Sequence, residues 1–257
     1  MRLLVSAVVG VTAAAVIATA GPAYAQERGV PRAEARPLAG RVVVIDPGHQ
    51  LGNHNFPAKI NRQVPAGGFR KPCNTTGTAT RGGYPEATFA WQVSLRLKAQ
   101  LERRGARVVL TRKVNSQQRW GPCVDRRGRA GNKIPADLKI SIHGDGSYAA
   151  GAHGFHVIAP TDRAPWTHDI YKPSRRLALV TRKALVKKDF VYATYIAGGD
   201  GLDFRGDLGT LNLSNVPTVM VELGNMKNAA DARRMTTRKG RAAYAAALAR
   251  AVRVFLR

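Results

Sequence analysis

The most constraining feature of this sequence is residues 41–49, RVVVIDPGH, in which apolar β-branched residues lead into a turn and a histidine. An unbroken apolar run such as residues 42–45 is typical of a strand buried on both faces of a parallel sheet. Pro47 and Gly48 predict the end of that strand. His49 therefore follows the carboxyl end of a strand, where open α/β sheets carry their binding sites. Alone, His49 is either structural or a metal ligand, and partners at other strand ends would favour the ligand.

Two later segments end in a similar way. Residues 137–143, DLKISIH, alternate apolar and polar side chains, which predicts a strand with one covered face that ends at His143. Residues 217–222, PTVMVE, form an almost wholly apolar strand that ends at Glu222. A carboxylate is costly there unless a bound cation or a catalytic role compensates for it. Histidines at two strand ends strengthen the interpretation of each as a metal ligand.

A helix is predicted over residues 85–104. Pro85 suits the first turn, apolar residues recur at four-residue spacing, and Gly105 is a typical terminator. Glu86 lies in the first turn, where it either only complements the helix dipole or has a functional role. A short apolar strand over residues 106–111 follows, so the chain begins a strand–helix–strand unit of an α/β domain.

The remaining chain continues this alternation of helices and strands. Ser174 is the expected cap of one helix, and His54, in an irregular stretch, is a weaker candidate for a site residue. The three aspartates of residues 197–215 are interpreted as turn residues, because their spacing fits no calcium loop. We predict a strand over residues 154–159, helices over 172–190, 229–235 and 239–255, partial helix over 123–130, and irregular chain over 50–84 and 197–215.

The N-terminal residues 1–25 are predicted to be a signal peptide. Arg2 precedes an apolar run, and Ala23-Tyr24-Ala25 supplies the small residues of a cleavage site. The alternative is an uncleaved membrane anchor, since the run nearly reaches spanning length. We favour cleavage, with residues 26–40 as a polar lead-in and no stable membrane insertion afterwards. The protein is then exported to the cell envelope or secreted.

The net charge of +25 is spread along the chain. It reflects either a basic solvated surface or attraction to a polyanion, which for an exported protein is the cell envelope. No nucleic-acid-binding motif accompanies the charge, so we expect no nucleic-acid partner.

The sequence has two cysteines, Cys73 and Cys123. In an oxidising compartment they are expected to form a disulfide, which in the loop-entropy model contributes about 4 kcal/mol. The alternative, a pair of thiolate metal ligands, is less typical of an exported protein.

Together, four motifs resemble the zinc-dependent N-acetylmuramoyl-L-alanine amidases, and the long segment 50–84 resembles that of mycobacterial-type exported members. The four motifs are DPGH at 46–49, Glu86 at the start of its helix, SIH at 141–143 and VPTVMVELGN at 216–225. The segment 126–132, rich in arginine and asparagine, is also similar. The resemblance implies a single α/β domain over residues 41–257, with a twisted, mixed and mainly parallel sheet flanked by helices on both faces.

The resemblance also implies the site. His49, Glu86 and His143 would bind zinc, and Glu222 would be catalytic. Two histidines and a glutamate are one of the ligand sets of catalytic zinc, which keeps a position open for water. Asp46 either orients His49 from behind or only forms the turn. The chain departs from the family pattern at residues 144–145 and at residue 225. None of these residues is a proposed metal ligand, so the departures bear on the shape of the substrate cleft and not on metal binding.

The implied reaction is hydrolysis of the amide between N-acetylmuramic acid and the L-alanine of the stem peptide, in peptidoglycan or its soluble fragments, by a monomer. Two other functions also fit the sequence. A zinc carboxypeptidase acting on stem peptides would use similar ligands, and a non-catalytic envelope-binding protein would explain the charge and the export.

Overall fold

The computed structural model describes residue 4, residues 6–10 and residues 36–257. The chain divides into two compact units, Met1–Glu34 and Ala35–Arg257, and the fold below is that of the second. The predicted signal peptide, residues 1–25, and the lead-in, residues 26–40, fall largely outside the described residues. Within the described part of the chain, no helix is long and apolar enough to cross a membrane.

Of the eight strands in the described residues, six form one sheet, in the order β4-β1-β5-β8-β6-β7. β1, β4, β5 and β8 are parallel, whereas β6 runs antiparallel to β8 and parallel to β7. β2 and β3 form a separate antiparallel pair. The strands are β1 (Val42–Pro47), β2 (Gln63–Pro65), β3 (Arg70–Pro72), β4 (Arg107–Leu110), β5 (Leu138–Asp145), β6 (His156–Pro160), β7 (Leu202–Arg205) and β8 (Thr218–Asn225).

Helices cover both faces of this sheet. The three long helices α2, α4 and α7 pack on its apolar face, where Val43, Ile140 and Val221 belong to the main core. The short helices α3 and α5 lie at the opposite face, which carries the buried Lys139 and also the apolar Ile158 and Met220. The helices are α1 (Pro57–Asn61), α2 (Glu86–Glu102), α3 (Val124–Gly128), α4 (His168–Val186), α5 (Gly209–Asn212), α6 (Ala229–Thr236) and α7 (Arg238–Phe255). The predicted fold class, a single α/β domain with a mixed, mainly parallel sheet, is confirmed.

The prediction that only one face of the β5 strand is covered is wrong. β5 lies between β1 and β8, and both Lys139 and Ser141 are fully buried. The Lys139 amine donates hydrogen bonds to the carbonyl oxygens of Arg127 (3.2 Å), Gly128 (2.5 Å) and Thr210 (3.0 Å). Burial lowers the pKa of Lys139 to about 7. A lysine can occupy a central strand here because neighbouring loops and helices supply acceptors for its amine.

Two stretches predicted to be irregular contain regular structure. Residues 50–84 hold a short 3-10 turn, α1 and the β2–β3 pair. Residues 197–215 hold the edge strand β7 and the short helix α5. Elements of three to five residues carry too little periodicity to be recognised from sequence.

Ser174 is not a helix cap. α4 begins at His168 and includes both Pro173 and Ser174. The buried Ser174 hydroxyl instead accepts a hydrogen bond from the Thr218 backbone N–H at 3.0 Å. Ser174 therefore ties the middle of α4 to the start of β8.

The predicted disulfide between Cys73 and Cys123 is present. It joins the end of the β2–β3 pair to the residue that precedes α3. The Val124 N–H also donates to the Cys73 carbonyl at 2.7 Å. This link fixes the loop of residues 73–84 at the carboxyl edge of the sheet.

Candidate metal centre and active site

The carboxyl ends of three neighbouring parallel strands bring together the predicted site residues. His49 follows β1, His143 lies near the end of β5, and Glu222 lies near the end of β8, directly opposite His143 in the strand register. Glu86 is the first residue of α2, which packs against β1 and β5. Residues far apart in sequence therefore meet at one edge of the sheet, as the topology requires.

His49, Glu86 and His143 form a compact cluster of potential metal ligands. The Glu86 Oε1 atom lies 3.1 Å from His49 Nε2 and 2.9 Å from His143 Nδ1. One ligand atom from each residue lies within 4.8 Å of the others. Two imidazole nitrogens and one carboxylate oxygen suit a transition metal such as zinc.

The backbone around His49 fixes the orientation of its ring. His49 has φ of 52°, in the left-handed region, so its side chain turns away from the strand direction. Its Nδ1 lies 3.1 Å from the Thr75 carbonyl oxygen, and with the proton on Nδ1 this contact is a hydrogen bond that leaves the lone pair of Nε2 for a metal. Gly48 is required beside it, because a β-carbon there would lie 2.5 Å from the His143 ring.

Glu86 is held from both of its oxygens. The Thr78 N–H donates to Oε2 at 2.9 Å, and the Gly144 N–H donates to Oε1 at 3.3 Å. Burial raises the pKa of Glu86, but the two histidines outweigh burial and the net shift is downward. The carboxylate is therefore ionised, as a metal ligand has to be.

Glu222 has the opposite electrostatic character. Burial, with the nearby Glu86 and Asp145 carboxylates, raises the pKa of Glu222 far above its usual range. Its Oε2 atom is buried and has no hydrogen-bond partner among the described residues. When two carboxyl groups in one site have pKa values shifted in opposite directions, they typically take different roles in the reaction, one remaining ionised and the other transferring protons. Glu222 suits proton transfer, whereas Glu86 suits metal binding.

Asp46 is linked to His49 through Arg127 and makes no hydrogen bond to the His49 ring in the described structure. Its carboxylate accepts hydrogen bonds from Arg127 (2.6 Å), Thr111 (2.5 Å) and Ser141 (2.7 Å). Arg127 in turn donates to the His49 carbonyl oxygen at 2.6 Å. Asp46 therefore acts on His49 through Arg127 and the backbone, because the ring nitrogen already contacts Thr75.

Asn225, a departure from the family pattern, shapes the adjacent loop. Its amide donates to the carbonyl oxygens of Ser147 (2.8 Å) and Ala152 (2.9 Å). The other departure, residues 144–145, places Gly144 against Glu86 and the Asp145 carboxylate near Glu222. These residues therefore shape one wall of the site and are not themselves part of the His49–Glu86–His143 cluster.

A cleft of about 250 Å³ opens beside the cluster. His49, His143 and Glu222 line one end of it. Its floor is apolar, from Ile158 and Met220 of the sheet. The cluster is thus accessible to a ligand with an apolar portion.

Comparison with known proteins agrees with this geometry. Residues 43–254 match the family model described as N-acetylmuramoyl-L-alanine amidase. The chain is 45% identical to the N-acetylmuramoyl-L-alanine amidase Rv3717 of Mycobacterium tuberculosis, over 85% of this chain and 88% of that protein. The chain belongs to this amidase family.

Solved amidases share the fold. The apo form of Ami1 from Mycobacterium abscessus is 44% identical, with a TM-score of 0.78 over 85% of this chain and 100% of that one. Ami1 from Mycobacterium smegmatis is 40% identical, with the same TM-score over 85% of this chain and 98% of that one. Both are described as N-acetylmuramyl-L-alanine amidases.

Sequence reasoning missed the residues that support this amidase site from loops. Thr75 and Thr78 lie in a stretch predicted to be irregular, and only the cysteine at position 73 indicated that the stretch is fixed. Arg205, on the unpredicted strand β7, also lines the cleft. His54, the weaker candidate, is exposed in the 3-10 turn.

Proposed function

We propose that this amidase hydrolyses the amide between N-acetylmuramic acid and the L-alanine of the peptidoglycan stem peptide. The observation that carries the proposal is the convergence of His49, Glu86 and His143, with Glu222 opposite His143, in a chain of this family. Peptidoglycan or its soluble fragments would be the substrate, and the proposed active form is a monomer.

Zinc is the proposed metal, with His49 Nε2, Glu86 Oε1 and His143 Nδ1 as its ligands. The chain's own contacts fit this role: the Thr75 carbonyl holds His49 in the required tautomer, and two backbone N–H groups hold the ionised Glu86. Three protein ligands of this kind leave a position open. When bound, zinc would lower the pKa of a water molecule and polarise the scissile carbonyl.

Glu222 is the proposed proton carrier. In its ionised form the Glu222 carboxylate would accept a proton from the attacking water, and the resulting carboxylic acid, whose raised pKa keeps the proton on it, would donate that proton to the departing amine of L-alanine. The unpaired Oε2 atom is available for this transfer. Glu86 cannot take the same role, because its two oxygens are held by backbone N–H groups and its pKa is lowered.

The proposed setting is the cell envelope. Residues 1–25 would be removed as a signal peptide, residues 26–40 would be a lead-in, and residues 41–257 would form the catalytic domain. The charge of +25 would hold such an enzyme near anionic envelope polymers.

The identity of the released product tests this function. A purified muramyl peptide is incubated with the protein and zinc, and the products are analysed by mass spectrometry. We expect an intact peptide with a free L-alanine amine, and no such peptide after chelation. Release of a C-terminal residue instead would assign the protein to the carboxypeptidases, and no cleavage with zinc bound would contradict an enzymatic role.

A further inference from the structure

The two sides of the candidate active site differ in charge. On one side, the cleft that contains Ile158 and Met220 has Lys71 and Arg205 on its walls. On the other side, a pocket of about 300 Å³ is lined by Gly77, glycines of the 144–146 turn, threonines and Asp145. Both pockets share His49, His143 and Glu222, so they adjoin at the site and a substrate that spans it can extend into both.

Arg127 also lines the cleft, but its guanidinium is already occupied. It is 3% exposed and donates to Asp46 and to the carbonyl oxygens of Pro47, His49 and Pro122. The cations available to a ligand in the cleft are therefore Lys71 and Arg205, whose side chains are 36% and 39% exposed.

Asp207 holds these two cations in place. Arg205 donates from Nε and Nη2 to the two carboxylate oxygens of Asp207, at 2.8 and 2.7 Å. The Lys71 amine donates to the Asp207 carbonyl oxygen at 2.8 Å and lies 3.5 Å from its carboxylate. Lys71, Arg205 and Asp207 together carry a net positive charge, with the Asp203 carboxylate also acting on Arg205, and pairing fixes the guanidinium before a ligand arrives.

Arg205 also lies near the reacting centre. Its charge opposes burial and lowers the pKa of Glu222, although burial and nearby carboxylates dominate. Arg205 and Glu222 also line the same cleft, so a ligand group bound by Arg205 would occupy the cleft that contains the proposed reacting centre.

We propose that Lys71 and Arg205 form a carboxylate-binding subsite that places the stem peptide on the β7 side of Glu222 and the muramoyl sugar on the glycine-lined side. This inference rests on the proposed function. A neutral sugar suits the side without accessible cations, whereas an acidic peptide suits the cationic side with the apolar floor. The bound group is a carboxylate of the peptide, from either its second or its third residue.

Matched substrates test this subsite. N-acetylmuramoyl dipeptides carry a second residue with either a free carboxylate or the corresponding carboxamide, and a tripeptide pair varies the carboxylate of the third residue. For the pair that carries the bound group, we expect a KM about tenfold lower for the carboxylate, typical of one charged hydrogen bond. The difference should shrink near 1 M salt, where the Debye length is about 3 Å.

Variants of Arg205 test whether this side chain causes the preference for the carboxylate substrate. In Arg205→Gln, the ratio of kcat/KM between carboxylate and carboxamide should fall from about ten towards one, and Arg205→Lys should retain part of it. Arg182→Gln is the matched control, since Arg182 forms a comparable arginine–aspartate pair with Asp200 away from the cleft. Arg182→Gln should leave the ratio unchanged.

The outcomes separate this inference from the proposed function. Wild-type protein that cleaves carboxylate and carboxamide substrates of both pairs with equal KM would overturn the subsite and leave the amidase activity intact. An unchanged ratio in folded Arg205→Gln would do the same. Absence of any released peptide amine, with zinc bound, would instead contradict the proposed function.

Discussion

Replacing Asp46 by asparagine should destabilise the fold strongly, because it leaves the Arg127 guanidinium buried without its counter-charge. Asp46 is fully buried, Arg127 is 3% exposed, and their side chains are 2.6 Å apart. Breaking such a pair typically costs about 3–5 kcal/mol. Arg127 keeps carbonyl acceptors at Pro47 (2.7 Å) and His49 (2.6 Å). We therefore expect the lower end of that range, about 3 kcal/mol.

The pH dependence of this loss follows from the shifted pKa of Asp46. Burial raises that pKa, but Arg127, Thr111 and Ser141 outweigh it and lower it overall. A lowered pKa contributes stability that is present above the unfolded value of about 3.9 and is lost as pH falls through the folded pKa. The difference between wild type and Asp46→Asn should therefore be full at neutral pH and shrink in acid.

Urea unfolding of both proteins, with the disulfide intact, measures this difference. Glu102→Gln is the control, because the Lys98–Glu102 pair is largely exposed and should contribute less than about 0.5 kcal/mol. A loss of unfolding free energy below about 1 kcal/mol in Asp46→Asn would refute the reasoning, since an unpaired buried charge destabilises a fold by more than that.

Three further predictions concern stability and activity. Lys139→Met should cost about 2–4 kcal/mol in urea unfolding, because three buried carbonyls lose their donor, and an unchanged midpoint would contradict this. Joint replacement of Cys73 and Cys123 by serine should lower stability by about 4 kcal/mol for the loop of 50 residues, seen as a lower melting temperature. In a plot of kcat/KM against pH, activity should fall on the acid side at a pH above the pKa of an ordinary glutamate. The reason is that Glu222 has a raised pKa and must be ionised to accept a proton. A fall in activity only near pH 4.5 would contradict that role.

The sequence predicted what local patterns encode. His49 and Glu222 each end an apolar run, His143 ends an alternating strand, and Glu86 opens a long amphipathic helix, so their positions follow from strand and helix signals. Lys139 illustrates the limit: a polar residue in an alternating strand indicates a solvent-facing side, and only the distant carbonyl of Thr210 and the turn of α3 make its burial possible.

The contacts that hold the site residues in place also join residues far apart in the sequence. The Thr75 carbonyl contacts His49 across 26 residues of sequence, and Arg127 reaches His49 across 78. Backbone groups in loops have no sequence signature, because every residue carries them. Arg205 lies on a four-residue edge strand, LDFR, which is too short for its periodicity to be recognised.

Zinc stoichiometry and turnover, measured together on wild type, Glu86→Gln and Glu222→Gln, test the central claim most directly. We expect one bound zinc and activity in wild type, one bound zinc without activity in Glu222→Gln, and loss of both zinc and activity in folded Glu86→Gln. Wild-type turnover in Glu222→Gln, or full zinc binding in Glu86→Gln, would contradict it.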